Sequence, residues 1–101
     1  MDSTFRALGD PRRREVLRLL GEGDLSAGEL AERVGVAPST MSGHLRVLRE
    51  ANLVVAERHG TTIVYSLNVS VCEEIVGAVM ELFGVGEEGT RKVRDAYGLA
   101  D

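Results

Sequence analysis

The sequence has no tryptophan and only four aromatic residues, Phe5, Tyr65, Phe83 and Tyr97, so its core must be aliphatic. Its single cysteine, Cys72, excludes an intrachain disulfide and a cysteine-based zinc site made by this chain alone. No apolar run approaches the roughly 18 residues that crossing a bilayer requires. The opening MDSTFRALGD lacks the basic-then-apolar order of a signal peptide. We therefore expect a cytoplasmic chain with no membrane partner. There is no Cys/His or Ser/His/Asp arrangement on suitable elements and no phosphate-binding glycine loop. The chain is also too short for a walled pocket, so an enzyme is not expected. Lysine is nearly absent: of the twelve basic residues only Lys92 is one, and the arginines suit planar, bidentate contacts.

What is present is enough for one domain, with 44% hydrophobic residues over a length of 101. The net charge of −4 argues at first against nucleic acid. Its distribution says otherwise. Residues 1–20 carry +2, 21–37 carry −3, 38–67 carry +1 and 68–101 carry −4. The acidity thus lies mainly outside the central basic segment.

Local signals follow one another in a legible order. Ser3 to Leu8 is a short helical stretch with Phe5 and Leu8 on one side, interrupted by Gly9. Asp10 is a good N-cap and Pro11 a good first helical residue for a helix carrying Val16, Leu17, Leu19 and Leu20. Gly21-Glu22-Gly23 ends it. Ser26 and Glu29 form a capping box before Leu30, Ala31 and Val34, and Gly35 stops that helix after about two turns. Pro38 starts the next, with Met41, Leu45 and Leu48 at i, i+4 and i+7, which places them toward a core. Two β-branched runs follow, at 54–58 and 62–67, around the tip His59-Gly60-Thr61. From Val71 the helical period returns in Cys72, Ile75, Val76, Val79, Met80 and Phe83.

The central stretch is the pattern of a winged helix-turn-helix. Two helices crossing steeply around a short turn need a small residue at the crossing, and Ala31 supplies it four residues before Gly35. The expected fold is mainly α with a small β-hairpin wing, about five helices and two strands. Residues 1–88 form the DNA-binding and dimerisation domain, and 89–101 are a tail that is either a short helix or disordered.

If the Pro38 helix buries Met41, Leu45 and Leu48, its opposite face presents Ser39, Thr40, Ser42, Gly43 and Arg46 to a DNA groove. His44 lies on the same helix and joins this set. Arg58, His59 and Thr61 in the wing suit phosphates or the adjacent minor groove. Small hydroxyl and glycine positions with one arginine fit DNA better than a protein interface, which usually offers large apolar anchors. His44 and His59 read better in these roles than as metal ligands. Cys72 reads better as a small buried hydrophobe than as a redox sensor. A single recognition helix gains affinity by pairing half-sites, so a homodimer is expected, with Phe5, Leu8, Cys72, Ile75, Val79 and Phe83 as the candidate interface.

On these residues the chain resembles a known family. TFRALGDPRRREVLRLL resembles the first helices of ArsR/SmtB-type bacterial repressors, with their ALxDPTRxxIL-like helix. GELAERVGVAPSTMSGHLRVLREANLVVAERHGTTIVYSLN resembles their recognition helix and wing, including Ser42, His44-Leu45, Leu48 and the closing Tyr65-Ser66-Leu67. The likeness spans residue 4 to about 83 and is greatest to the SdpR-like autorepressors, a subgroup not built around a metal site. It implies a transcriptional repressor acting on double-stranded DNA at a pseudo-palindromic operator. A transcriptional activator, or a regulator that holds a protein (an antitoxin or anti-activator), would use the same fold.

Metal-sensing members carry Cys-x-Cys where this chain has Ser26, Ala27 and Gly28. Others carry Asp, His, His and Glu on the last helix, where this chain offers Cys72, Glu73, Glu74 and Glu81. A metal site therefore does not carry over, and neither metal nor cofactor is expected. An effector or a partner protein stays open.

Overall fold

The computed structural model describes residues 2–85, 91 and 94–98. The elements are α1 (Asp2–Leu8), α2 (Pro11–Glu22), β1 (Leu25–Ser26), α3 (Ala27–Val34), α4 (Pro38–Glu50), β2 (Val54–His59), β3 (Thr62–Leu67) and α5 (Val69–Leu82). Residues 91 and 94–97 are also helical. The part of the expected tail at 89–90, 92–93 and 99–101 lies outside the described residues.

The chain divides into two compact units, Met1–Leu67 and Asn68–Asp101. The division falls where β3 ends and a capping residue opens α5. Asn68 accepts a hydrogen bond from the Val71 amide at 3.4 Å, so the helix begins two residues before its apolar stripe does.

The first unit holds the core. Ala7, Val16, Leu19, Leu20, Leu30, Ala31, Met41, Leu45, Leu48, Ala51, Leu53, Val54 and Tyr65 are all buried. Each of the first four helices contributes one stripe to it, and buried Ala31 lets α3 and α4 approach closely. On α1 the buried side chains are Thr4 and Ala7, while Phe5 is 49% exposed and Leu8 half-buried.

The wing is a three-stranded antiparallel sheet in the order β1-β3-β2, where two strands were expected. β1 is only Leu25 and Ser26, paired with Tyr65 and Val64. A two-residue strand carries no sequence period; it exists because β3 offers it a partner. In the hairpin His59 pairs with Thr62, so the turn is Gly60-Thr61 alone and His59 belongs to β2. Gly60 has φ +65° and Thr61 stays at negative φ, as a type II′ turn requires.

In the second unit, no residue of α5 is buried. Cys72, Ile75, Val76, Val79 and Met80 are half-buried, while Leu82 and Phe83 are 71% and 73% exposed.

Candidate nucleic-acid interface

The helix-turn-helix is fixed by local chemistry at each end. The Ser26 amide donates to Glu29 Oε1 at 2.9 Å and the Glu29 amide to Ser26 Oγ at 3.2 Å, so both halves of the capping box form. Gly35 sits at φ +82°, and its amide and that of Val36 both reach the Ala31 carbonyl, at 2.9 and 3.0 Å. The left-handed residue reverses the chain toward α4. There Ala37 precedes Pro38 and makes no side-chain cap. The first amides of α4 therefore lack a capping side chain, which suits a phosphate oxygen.

Along α4 the two faces separate cleanly. Met41, Leu45 and Leu48 are buried, and Ser39, Thr40, Ser42, Gly43 and Arg46 are exposed. Ser42 Oγ donates to the Pro38 carbonyl at 3.1 Å, which ties down a hydroxyl otherwise free to seek a base. Gly43 stands in open space: a Cβ there meets nothing within 4 Å among the described residues. A mid-helix glycine weakens a helix by about 0.5–1 kcal/mol relative to alanine, and nothing inside the chain requires one here.

His44 stands apart from the other α4 residues. It is half-buried; Nδ1 lies 3.3 Å from Arg13 Nη1, and Nε2 is buried without a hydrogen-bond partner among the described residues. A ring turned inward in this way has no nitrogen to offer a groove. Among the α4 residues expected to meet DNA, His44 is thus the one whose ring nitrogens lie at the border of the core.

In the wing, Arg58, His59, Gly60 and Thr61 are all exposed. His59 Nε2 and Glu57 Oε1 are 3.9 Å apart, both exposed, a distance at which the pair contributes little. Neither the Arg46 nor the Arg58 side chain forms a hydrogen bond or ion pair among the described residues.

Other arginines are committed elsewhere. Arg18 bridges Glu15 at 2.6 Å and Glu22 at 2.7 Å along α2, and those contacts raise its pKa and lower that of Glu15. Arg13 and Arg14 donate to carbonyls at the end of α1: Arg13 to Ala7 and Arg6, Arg14 to Leu8. In the sequence Arg12, Arg13, Arg14 and Arg18 all belong to the polar side of α2. Only the packing of α1 against α2 distinguishes them, and no one-dimensional signal announces it.

The carboxylates near the motif are structural. The Arg12 amide, at 2.8 Å, holds the Asp10 carboxyl below its ordinary pKa, and the Ser26 amide does the same for Glu29. Among the described residues, no three His, Cys, Asp or Glu side chains gather to hold a metal ion. Cys72 is half-buried, and desolvation, with Glu73 beside it, pushes its thiol pKa up.

Residues 10–55 match the family described as bacterial regulatory protein, arsR family. The transcriptional repressor SdpR of Bacillus subtilis is 34% identical over 87 residues, covering 86% of this chain and 97% of that protein. The HTH-type transcriptional regulator KmtR of Mycobacterium tuberculosis is 42% identical over 96 residues, covering 94% of this chain and 74% of its own. Among solved structures, a homodimeric winged helix-turn-helix DNA-binding domain from Mycobacterium bovis, a possible ArsR-family regulator, aligns with a TM-score of 0.68. It is 27% identical and covers 82% of this chain and 76% of that one. The exposed face of α4, the wing beside it in sequence and these relatives agree: the chain belongs to the ArsR family and is a DNA-binding transcriptional regulator, not an enzyme.

Proposed function

We propose that the protein is a homodimeric repressor that reads a pseudo-palindromic operator with α4 and holds the flanking backbone with its wing. The observation that carries this reading is the division of α4 into a buried aliphatic row and an exposed row of small residues with one arginine. Small side chains let the helix backbone approach the base edges, and a guanidinium pairs with guanine O6 and N7. Ser39, Thr40, Ser42, Gly43 and Arg46 form the groove face; Arg58, His59 and Thr61 meet phosphate or the minor groove.

Dimerisation is supported by apolar surface with no use in a lone chain. Phe5 and Leu8 offer it in the first unit; Cys72, Ile75, Val79 and Phe83 offer it in the second. The Mycobacterium bovis relative is homodimeric. The relative SdpR is named a repressor, and occlusion of a promoter by a bound dimer requires no further activity.

The test is to recover the bound sequences from genomic DNA and to repeat the binding with Arg46→Ala. A two-fold sequence with half-sites about one helical turn apart, bound by a dimer, is the expected result. Arg46→Ala should lose about 1–3 kcal/mol of discrimination. A single half-site bound by one copy would overturn the dimer, and unchanged discrimination would overturn the role of Arg46.

A further inference from the structure

Arg13 lies in the first turn of α2, yet its side chain acts on two other helices. Nε donates to the Ala7 carbonyl at 2.9 Å and Nη2 to the Arg6 carbonyl at 2.8 Å, closing the end of α1, where carbonyls lack helical partners. Nη1 meets His44 Nδ1 on α4 at 3.3 Å. A guanidinium carries only donors, so Nδ1 must accept and the neutral ring carries its proton on Nε2. That Nε2 is buried without a partner among the described residues. An apolar side chain would avoid this orphaned donor, so helix stability gives no reason for a histidine at position 44.

Position supplies a reason. On the helical wheel His44 falls between the buried row of Met41, Leu45 and Leu48 and the exposed Thr40 and Gly43. Apolar contacts are non-directional, whereas a hydrogen bond fixes direction as well as distance. Turning a helix by 10–20° about its axis moves side-chain tips by about 1–2 Å. A recognition constellation tolerates only about 0.5 Å. We infer that Arg13 and His44 are positioning residues for DNA reading: together they set the rotation of α4 about its axis and tie it to the end of α1. The inference rests on α4 being the helix that enters the groove.

The test measures binding to the DNA sequence that the wild-type protein selects, against random duplex of the same length, alongside thermal unfolding. His44→Leu removes both the acceptor and the orphaned donor. Its Tm should match or exceed the wild type, while the selected-over-random ratio falls about tenfold. His44→Gln keeps an acceptor oxygen and should return the ratio to within about threefold of the wild type. Arg13→Lys keeps the charge without the three-way fork and should lower the ratio like His44→Leu, which serves if the leucine variant does not fold. The double variant should lose no more than either single one, because both break the same tie. Additive losses, or a folded His44→Leu with an unchanged ratio, would overturn the inference. Arg46→Ala run in parallel separates the two levels. If it leaves the ratio unchanged, α4 is not the reader and the inference falls with that reading. If it lowers the ratio while His44→Leu does not, the tie alone is wrong.

Discussion

The Leu53 amide donates to the Leu48 carbonyl at 3.0 Å, closing α4 across a single left-handed residue. That residue is Asn52, at φ +59°, and its own amide reaches the Arg49 carbonyl at 2.9 Å. Both bonds are those of a Schellman cap, and the buried pair Leu48 and Leu53 supplies the apolar contact that accompanies one. Asparagine tolerates this backbone and glycine tolerates it better; a β-branched residue does not. Asn52→Gly should therefore be neutral or slightly stabilising, and Asn52→Val should cost about 1–2 kcal/mol. Urea unfolding of the three proteins checks this, and an equally stable valine variant would contradict it.

Gly43 offers a trade between stability and function. Its φ is negative and a Cβ there meets no atom of the described residues within 4 Å, so Gly43→Ala should stabilise α4 by about 0.5–1 kcal/mol. The added methyl projects from the exposed face, and on the proposed reading it stands between backbone and groove. Operator affinity should fall while chemical stability rises, a pairing that a purely structural glycine cannot give. An alanine variant that is more stable and binds as well would mean that the DNA does not come close at this point.

Much of this is legible in the sequence, wherever the cause is local. The capping box at Ser26 and Glu29 forms in full, Pro38 starts α4, and the row of Met41, Leu45 and Leu48 is buried. What the sequence does not show depends on contacts between distant positions. β1 has two residues and depends on β3; the inward turn of His44 depends on Arg13, thirty-one positions away. On α1 the packing face is Thr4 and Ala7, whose small side chains permit close approach, and Phe5 is left exposed. Sequence periods show which face of an element is apolar. They do not show which small residues another helix will choose.

The lowered carboxylates predict the acid limb of stability. Asp10 is held down by the Arg12 amide, Glu15 by the Arg18 side chain and Glu29 by the Ser26 amide. Each therefore binds a proton less readily folded than unfolded. Their stabilisation is complete above the ordinary carboxylate range, about pH 4–5, and is lost as pH falls through the lowered native values. Asp10→Asn combined with Glu29→Gln keeps capping groups but removes the titration. Its Tm should fall less steeply with acidification than the wild type's. Parallel acid limbs would show that these caps do not carry the pH dependence.

Cys72 should react slowly. Desolvation and the nearby Glu73 carboxylate both favour the thiol over the thiolate, and the thiolate is the nucleophile. Iodoacetamide should modify it more slowly at neutral pH than it modifies a small free thiol, with the rate rising only in more alkaline solution. Replacing Glu73 with glutamine should quicken the reaction modestly, because the second of the two causes is gone. A neutral-pH rate above the free-thiol value would mean that some group on the protein favours the thiolate, and would reopen a redox role.

Arg58 and Arg46 should differ in kind when removed. Arg58 is exposed near the hairpin tip, paired across the strands with Ile63, where the sheet offers it no partner. A phosphate contact from the wing adds affinity without sequence information, and each such contact releases about one counterion. Arg58→Ala should weaken binding to selected and random DNA by the same factor. It should also reduce the slope of log affinity against log salt by about one per contact, hence about two for a dimer. Arg46→Ala should instead narrow the gap between selected and random DNA. A slope change near one would indicate that a single wing engages. If Arg58→Ala changes the preference at one base pair and leaves the slope alone, the wing reads a base edge and the two arginines share the work of recognition.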